Sequence, residues 1–172
     1  IKDSNISVAN GVYAGGLPVK PVVVVNVGGK TLVEGTDYEL EYGTNDDRTK
    51  VTTTKSLTVK VVGKNGYRTD GTFSKNWGID KFNLANANVT VDGDKVTVKC
   101  GRVDVETSEY TVEKKDGKVT VTAKKDSKNY TGSKTVDAAT QDQKLDAPMI
   151  SSVKVIGNKA TAILSGDSEG AA

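Results

Sequence analysis

Residues 22–42 read VVVVNVGGKTLVEGTDYELEY. Val22 to Val27 is a short, mostly β-branched run that stops at Gly28-Gly29, and such residues suit a pleated, half-buried surface. Glycine takes the positive φ that primed turns need, so Val27-Gly28-Gly29-Lys30 is expected as a tight hairpin between Val22–Val27 and Thr31–Val33. Tyr38 to Tyr42 then alternates apolar and acidic residues, the pattern of a strand with one wet face. Outward from this stretch, strands are expected over Ile6 to Ala9, Lys50 to Val62 and Thr72 to Gly78. Lys50 to Val62 exceeds the usual strand length and is expected to bend or carry a bulge. Pro18 and Pro21 belong at an edge or before a strand, because proline donates nothing to a ladder.

The same signals return downstream. Ser108-Glu109-Tyr110-Thr111-Val112 echoes Thr36-Asp37-Tyr38-Glu39-Leu40, and Asn129-Tyr130-Thr131-Gly132-Ser133-Lys134-Thr135-Val136 echoes Gly66-Tyr67-Arg68-Thr69-Asp70-Gly71-Thr72-Phe73, which puts Tyr110 with Tyr38 and Tyr130 with Tyr67. The interval between landmarks is 29 residues in the first copy (67 − 38) and 20 in the second (130 − 110). Within the second copy, Asn88–Val98 forms a hairpin over Asp92-Gly93, and Tyr110–Ala123 another over Asp116-Gly117. Ser133 to Asp137 is a closing strand, and a single helical turn fits only Lys81 to Ala87. The expected organisation is a β unit over 1–80, a shorter one over 81–139 and a linker over 140–149. Residues 150–172 follow as a hairpin, Ser151–Ile156 and Lys159–Leu164, that opens a third domain resembling a fibronectin-III-like one.

Between Tyr13 and Phe73 the chain resembles the tandem Ig-like β-repeats of large secreted and surface-anchored Gram-positive bacterial proteins. The matching positions are Tyr13 with Gly15-Gly16, Pro21 before the valine run, Gly28-Gly29-Lys30-Thr31-Leu32, Gly35-Thr36-Asp37-Tyr38, Tyr42, Gly63, Gly66-Tyr67, Gly71 and Phe73. The second copy departs from that pattern: Val96-Thr97-Val98-Lys99-Cys100 stands where a proline-led valine segment belongs. The resemblance implies two tandem Ig-like β-sandwich units in an extracellular, cell-surface or secreted protein. It names no ligand.

Composition agrees with an all-β chain of thin layers: 35% hydrophobic and 5% aromatic in 172 residues, with 24 basic against 22 acidic side chains. Lysines alternate with Thr and Val along strands, as in Lys55 to Lys60, rather than gathering on one face, so nucleic acid is not an expected partner. No apolar run is long enough to cross a bilayer, so membrane insertion is not expected of this stretch. The chain starts inside a linker-like Ile1-Lys2-Asp3-Ser4 and reads as a piece of a longer, monomeric protein whose partners are its neighbouring domains.

Few residues offer chemistry. With no histidine, the commonest general base and metal ligand is missing, and one cysteine forbids an internal disulfide. Cys100 is expected as a small buried core residue. Asn45-Asp46-Asp47 and Asp92-Gly93-Asp94 are the acidic loops able to offer oxygens to calcium, yet both are accounted for as turns. No catalytic, metal or cofactor residue is assigned, and no enzyme activity is expected. Trp77 and Tyr67 are the candidates for a contact with a cell-wall or host glycan, or with the neighbouring unit, because sugars stack on aromatic planes. For Trp77, a plug between the two units is the favoured role. A lysine-to-Asn/Asp isopeptide bond, known in some Gram-positive surface domains, is conceivable but has no assignable pair. The functional expectation is a non-catalytic spacer. The alternatives are a carbohydrate-binding module of a polysaccharide-degrading system and an Ig-like appendage of a phage particle.

Overall fold

A computed structural model describes residues 1–70 and 73–138. The fold is all-β. In the first half the strands are β1 (Ile6–Ala9), β2 (Gly11–Val12), β3 (Val22–Val27), β4 (Lys30–Thr31), β5 (Tyr38–Tyr42), β6 (Leu57–Gly63), β7 (Ser74–Trp77) and β8 (Ile79–Asp80). The second half holds β9 (Phe82–Asn83), β10 (Asn88–Asp92), β11 (Lys95–Cys100), β12 (Val103–Asp104), β13 (Tyr110–Lys115), β14 (Lys118–Ala123), β15 (Tyr130–Thr131) and β16 (Ser133–Asp137). Each half builds two three-stranded antiparallel sheets, β1-β3-β4 with β5-β6-β7, and β10-β11-β12 with β13-β14-β16. Each also has a short parallel pair, β2 with β8 and β9 with β15. Every strand pairing among the described residues stays within 1–80 or within 82–137.

Alternation decides which faces are buried. In β6, Leu57, Val59 and Val61 are buried while Lys60 and Val62 face solvent, the period of two that a strand imposes. Ile6 and Val25 from one sheet and Tyr38 and Val61 from the other share one buried cluster. Beside it lies a second cluster of Val19, Leu57, Val59, Trp77 and Ile79. In the second half Val91, Val98 and Cys100 meet Tyr110, Val119, Val121 and Tyr130.

The hairpin at Gly28-Gly29 closes on Val27 and Lys30, with both glycines at positive φ, as a type I′ turn requires. Asp116-Gly117 makes the same turn between Lys115 and Lys118. The turn expected over Asp92-Gly93 is shifted by one: Asp92 pairs with Lys95, so the loop is Gly93-Asp94. The helical turn expected within Lys81 to Ala87 is a 3-10 turn over Leu84–Asn86, where the Asn83 side chain accepts the Ala85 N–H.

Three expected strands are shorter than their sequence suggested. Thr31–Val33 contracts to β4 because the chain turns at Val33, whose carbonyl accepts the Asp37 N–H at 2.8 Å. Of the strand expected over Thr72–Gly78, the described part is strand only over Ser74–Trp77, and Thr72 lies outside the described residues. The long strand over Lys50–Val62 begins only at Leu57. Its first part is diverted sideways, with the Thr52 N–H donating to the Ile79 carbonyl at 3.0 Å and the Thr52 hydroxyl accepting the Ile79 N–H at 2.9 Å. The linker expected over 140–149 and the hairpin over 150–172 lie outside the described residues.

The internal echo has a backbone counterpart. Tyr38 opens β5 opposite Gly63, and Tyr110 opens β13 opposite Ala123. Lys64 N–H donates to the Asp37 carbonyl at 2.8 Å, as Lys124 N–H does to the Glu109 carbonyl at 3.0 Å. Tyr67 N–H then donates to the Lys64 carbonyl at 2.9 Å, and its counterpart is Ser127 N–H on the Lys124 carbonyl at 3.1 Å. Tyr67 therefore corresponds to Ser127 and not to Tyr130, which lies three residues further on. The second copy is shorter because a two-residue turn replaces the loop over 43–56.

Candidate functional site

The two sequence-predicted contact residues stand apart. Trp77 has no accessible surface and packs among Val19, Leu57, Val59 and Ile79, with the Tyr42 ring centroid 6.4 Å away. Its ring presents no face on which a sugar could stack. Its Nε1–H has no hydrogen-bond partner among the described residues. Tyr67 sits half-buried on the other first-half cluster, where Lys30 Nζ lies 5.2 Å above its ring and 2.9 Å from its hydroxyl. That hydroxyl holds the Lys30 ammonium above its ordinary pKa.

The acidic loops act as clamps. Asp46 Oδ2 accepts the Gly43 N–H at 3.2 Å and the Thr58 N–H at 2.7 Å, which ties the loop over 43–56 to β6. Asp47 accepts from the Thr49 backbone and hydroxyl and pairs with Lys50, and these bonds lower its pKa to about 2. Asp94 reaches Lys114 at 3.4 Å. Among the described residues no group of three or more acidic or cysteine side chains is arranged to hold a metal ion.

A cluster of polar and aromatic groups lies where the two halves meet. Lys81 alone separates β8 from β9, and its Nζ donates to the Ser127 carbonyl at 2.6 Å. Tyr13 follows β2, held by its N–H on the Asp80 carbonyl at 2.9 Å, and contributes to clusters of both halves. Its ring stands edge-on to Tyr130, centroids 5.5 Å apart at 86°, and the Phe82 ring is also edge-on to Tyr130, at 6.3 Å and 81°. Cys100 Sγ donates to the Tyr13 carbonyl at 3.6 Å. Gly15, at φ +70°, runs so close to Val103 that a Cβ there would lie 2.6 Å from the valine Cβ.

Burial pushes the phenols of Tyr13 and Tyr130 and the thiol of Cys100 above their usual pKa values. A buried protonated thiol is a poor nucleophile, so Cys100 acts as a packing residue here. A crevice of about 250 Å3 opens beside the two tyrosines, rimmed by Asp104, Glu106 and Glu109. Glu109 also accepts from the Ser127 hydroxyl, so part of the rim is committed to holding the corner in place. A separate groove of about 650 Å3 runs between Thr52 and Thr53 of the first half and Lys81 and Lys128.

The sequence drew attention to Tyr13 only as a landmark. That Tyr13 reaches a residue 117 positions away (130 − 13) depends on the parallel pairs β2–β8 and β9–β15, each too short to leave a local pattern. No family model matches the chain, and no curated protein or solved structure matches it either.

Proposed function

We propose that this chain is a non-catalytic spacer: two Ig-like units held in series, forming a structural part of a secreted or cell-surface protein that displays its neighbouring domains. The observation that carries this reading is the Tyr13 seam. A free linker between domains leaves their relative motion as the default. Here one connecting residue, a tyrosine packed against both cores and a glycine closed onto Val103 oppose that motion. The Ig-like reading draws its support from the paired antiparallel sheets of each half, whose inner faces share buried clusters. The extracellular setting rests on the family resemblance of residues 13–73.

A passive spacer needs length and stiffness rather than a deep pocket. The largest aromatic side chain is spent in the core, where it holds the loop end of the first unit together. Small-angle scattering on the full chain, with a glycan array run in parallel, tests the proposal. An elongated profile with no glycan bound at micromolar protein is expected. A compact profile, or a tight glycan hit, would replace the spacer with a binding module.

A further inference from the structure

The second half has an open edge. β13 is the outermost strand of its sheet and pairs only with β14. Val112 lies opposite Val121 in that pair, so both side chains point to the inner side, yet Val121 is fully buried while Val112 is 42% exposed. Its counterpart in the first half, Leu40, packs on the Val19 cluster alongside Val8, whereas Val112 is no part of the cluster of its own half. Beside Val112 runs a groove of about 360 Å3, lined also by Val96 and Tyr110. An inward-pointing lysine normally guards a sheet edge, and Lys114 stands in that position. Its ammonium is drawn aside instead, to the Asp94 carbonyl at 3.2 Å and the Asp94 carboxylate at 3.4 Å.

The backbone is open in the same place. A two-residue turn makes its flanking residues exchange both backbone bonds, and every second pair after them does so too. Lys115 with Lys118 is such a pair, so Thr111 and Glu113 bond to β14. The N–H and C=O groups of Tyr110, Val112 and Lys114 therefore point off the sheet edge. Among the described residues they have no backbone partner.

We propose that a second copy of this chain closes the edge, its β13 lying antiparallel to the first with Val112 opposite Val112 across a two-fold axis. Such a pair can exchange bonds only in registers that set outward groups against outward groups. Centred on Tyr110 or on Lys114, the strands overlap by a single outward residue. Centred on Thr111, Glu109 meets Glu113, and centred on Glu113 that carboxylate meets its own mate, both like-charge clashes. Centred on Val112, all three outward residues are matched: Tyr110 with Lys114, Val112 with Val112 and Lys114 with Tyr110, each pair exchanging both backbone bonds. Thr111 then comes opposite Glu113, and Lys115 opposite Glu109, so opposite charges meet and like charges do not. The edge is thus complementary to itself in one register. The axis stands perpendicular to the sheet, which keeps both inner faces on one side and joins the two grooves into a channel walled by Val96 and Val112 of both copies. One strand from each side buries less than the roughly 800 Å2 per partner of a stable complex, so the dimer is a weak one, formed at high local concentration. It uses the second half alone and holds whether or not the chain serves as a spacer.

Analytical ultracentrifugation and amide hydrogen exchange by NMR, run on the full chain at matched concentrations, test this. Raising the protein from about 20 μM to about 1 mM should bring in the dimer and slow the Val112 and Lys114 amides about tenfold, while the Thr111 and Glu113 amides stay as they are. Val112→Lys sets like charges against each other and should leave a monomer at about 1 mM, whereas Val62→Lys, at an exposed valine of the first half, should still dimerise. A chain that remains monomeric at about 1 mM overturns the proposal without recourse to any variant. So does a dimer whose Val112 and Lys114 amides exchange fast, or protection of those amides that does not change with concentration. A dimer that survives Val112→Lys puts the contact elsewhere and overturns it as well.

Discussion

Gly15→Ala probes the seam from the side where it has least room. At φ +70° an alanine carries a left-handed penalty of about 1–2 kcal/mol wherever it stands. The new Cβ would also lie 2.6, 2.7 and 3.0 Å from Cβ, Cγ1 and Cγ2 of Val103, a side chain whose branched Cβ cannot swing aside. Overpacking of this kind costs a further ~1–3 kcal/mol, for a total of about 2–5 kcal/mol. Only the second contribution crosses the seam. Val103→Gly removes all three opposing atoms, so in that background Gly15→Ala should cost only the backbone penalty. Urea unfolding of the four chains gives the coupling between residues 15 and 103, expected at about 1–3 kcal/mol. A coupling of zero, with Gly15→Ala equally costly in both backgrounds, would mean that Gly15 and Val103 do not meet in solution.

Two further outcomes follow from the buried aromatics. Trp77→Ala should cost about 3–5 kcal/mol. Trp77→Phe should cost about 1 kcal/mol or less, because losing ring volume is offset by removing an orphaned N–H worth ~1–3 kcal/mol, and equal costs for the two variants in urea titrations would refute that offset. Tyr130 has its folded pKa raised by burial above the unfolded value of about 10, so its neutral phenol stabilises fully below pH ~10 and that contribution is lost as pH climbs further. Stability measured from pH 8 to 11.5 should fall less steeply in Tyr130→Phe, and an unchanged alkaline slope would contradict the assignment.

Where the strand pattern is local, the sequence was a sound guide. Ile6–Ala9, Val22–Val27, Tyr38–Tyr42 and Ser133–Asp137 run to their expected ends because alternation and turn residues define both limits. Lys50–Val62 shows the opposite case: Val51-Thr52-Thr53-Thr54 has strong strand propensity, but the Thr52 pairing with Ile79 uses the backbone that a strand would need. The tyrosine echo was half legible. Tyr38 and Tyr110 hold the same corner, whereas Tyr130 owes its burial to Tyr13 and Phe82, which the spacing of tyrosines does not encode. Trp77 was flagged as an aromatic near the junction, and its full burial follows from alternation on β7, where it shares the inner face with half-buried Lys75 while Ser74 and Asn76 face solvent. The seam itself was not legible, because it joins segments far apart in the chain through pairs of two residues each.

Residual dipolar couplings from the full chain, fitted separately for residues 1–80 and 81–138, test the fixed seam most directly. Two units locked through Tyr13, Gly15 and Lys81 must share one alignment tensor, equal in magnitude and orientation. Tensors of clearly different magnitude would mean that the units reorient independently and that the chain is no stiff spacer.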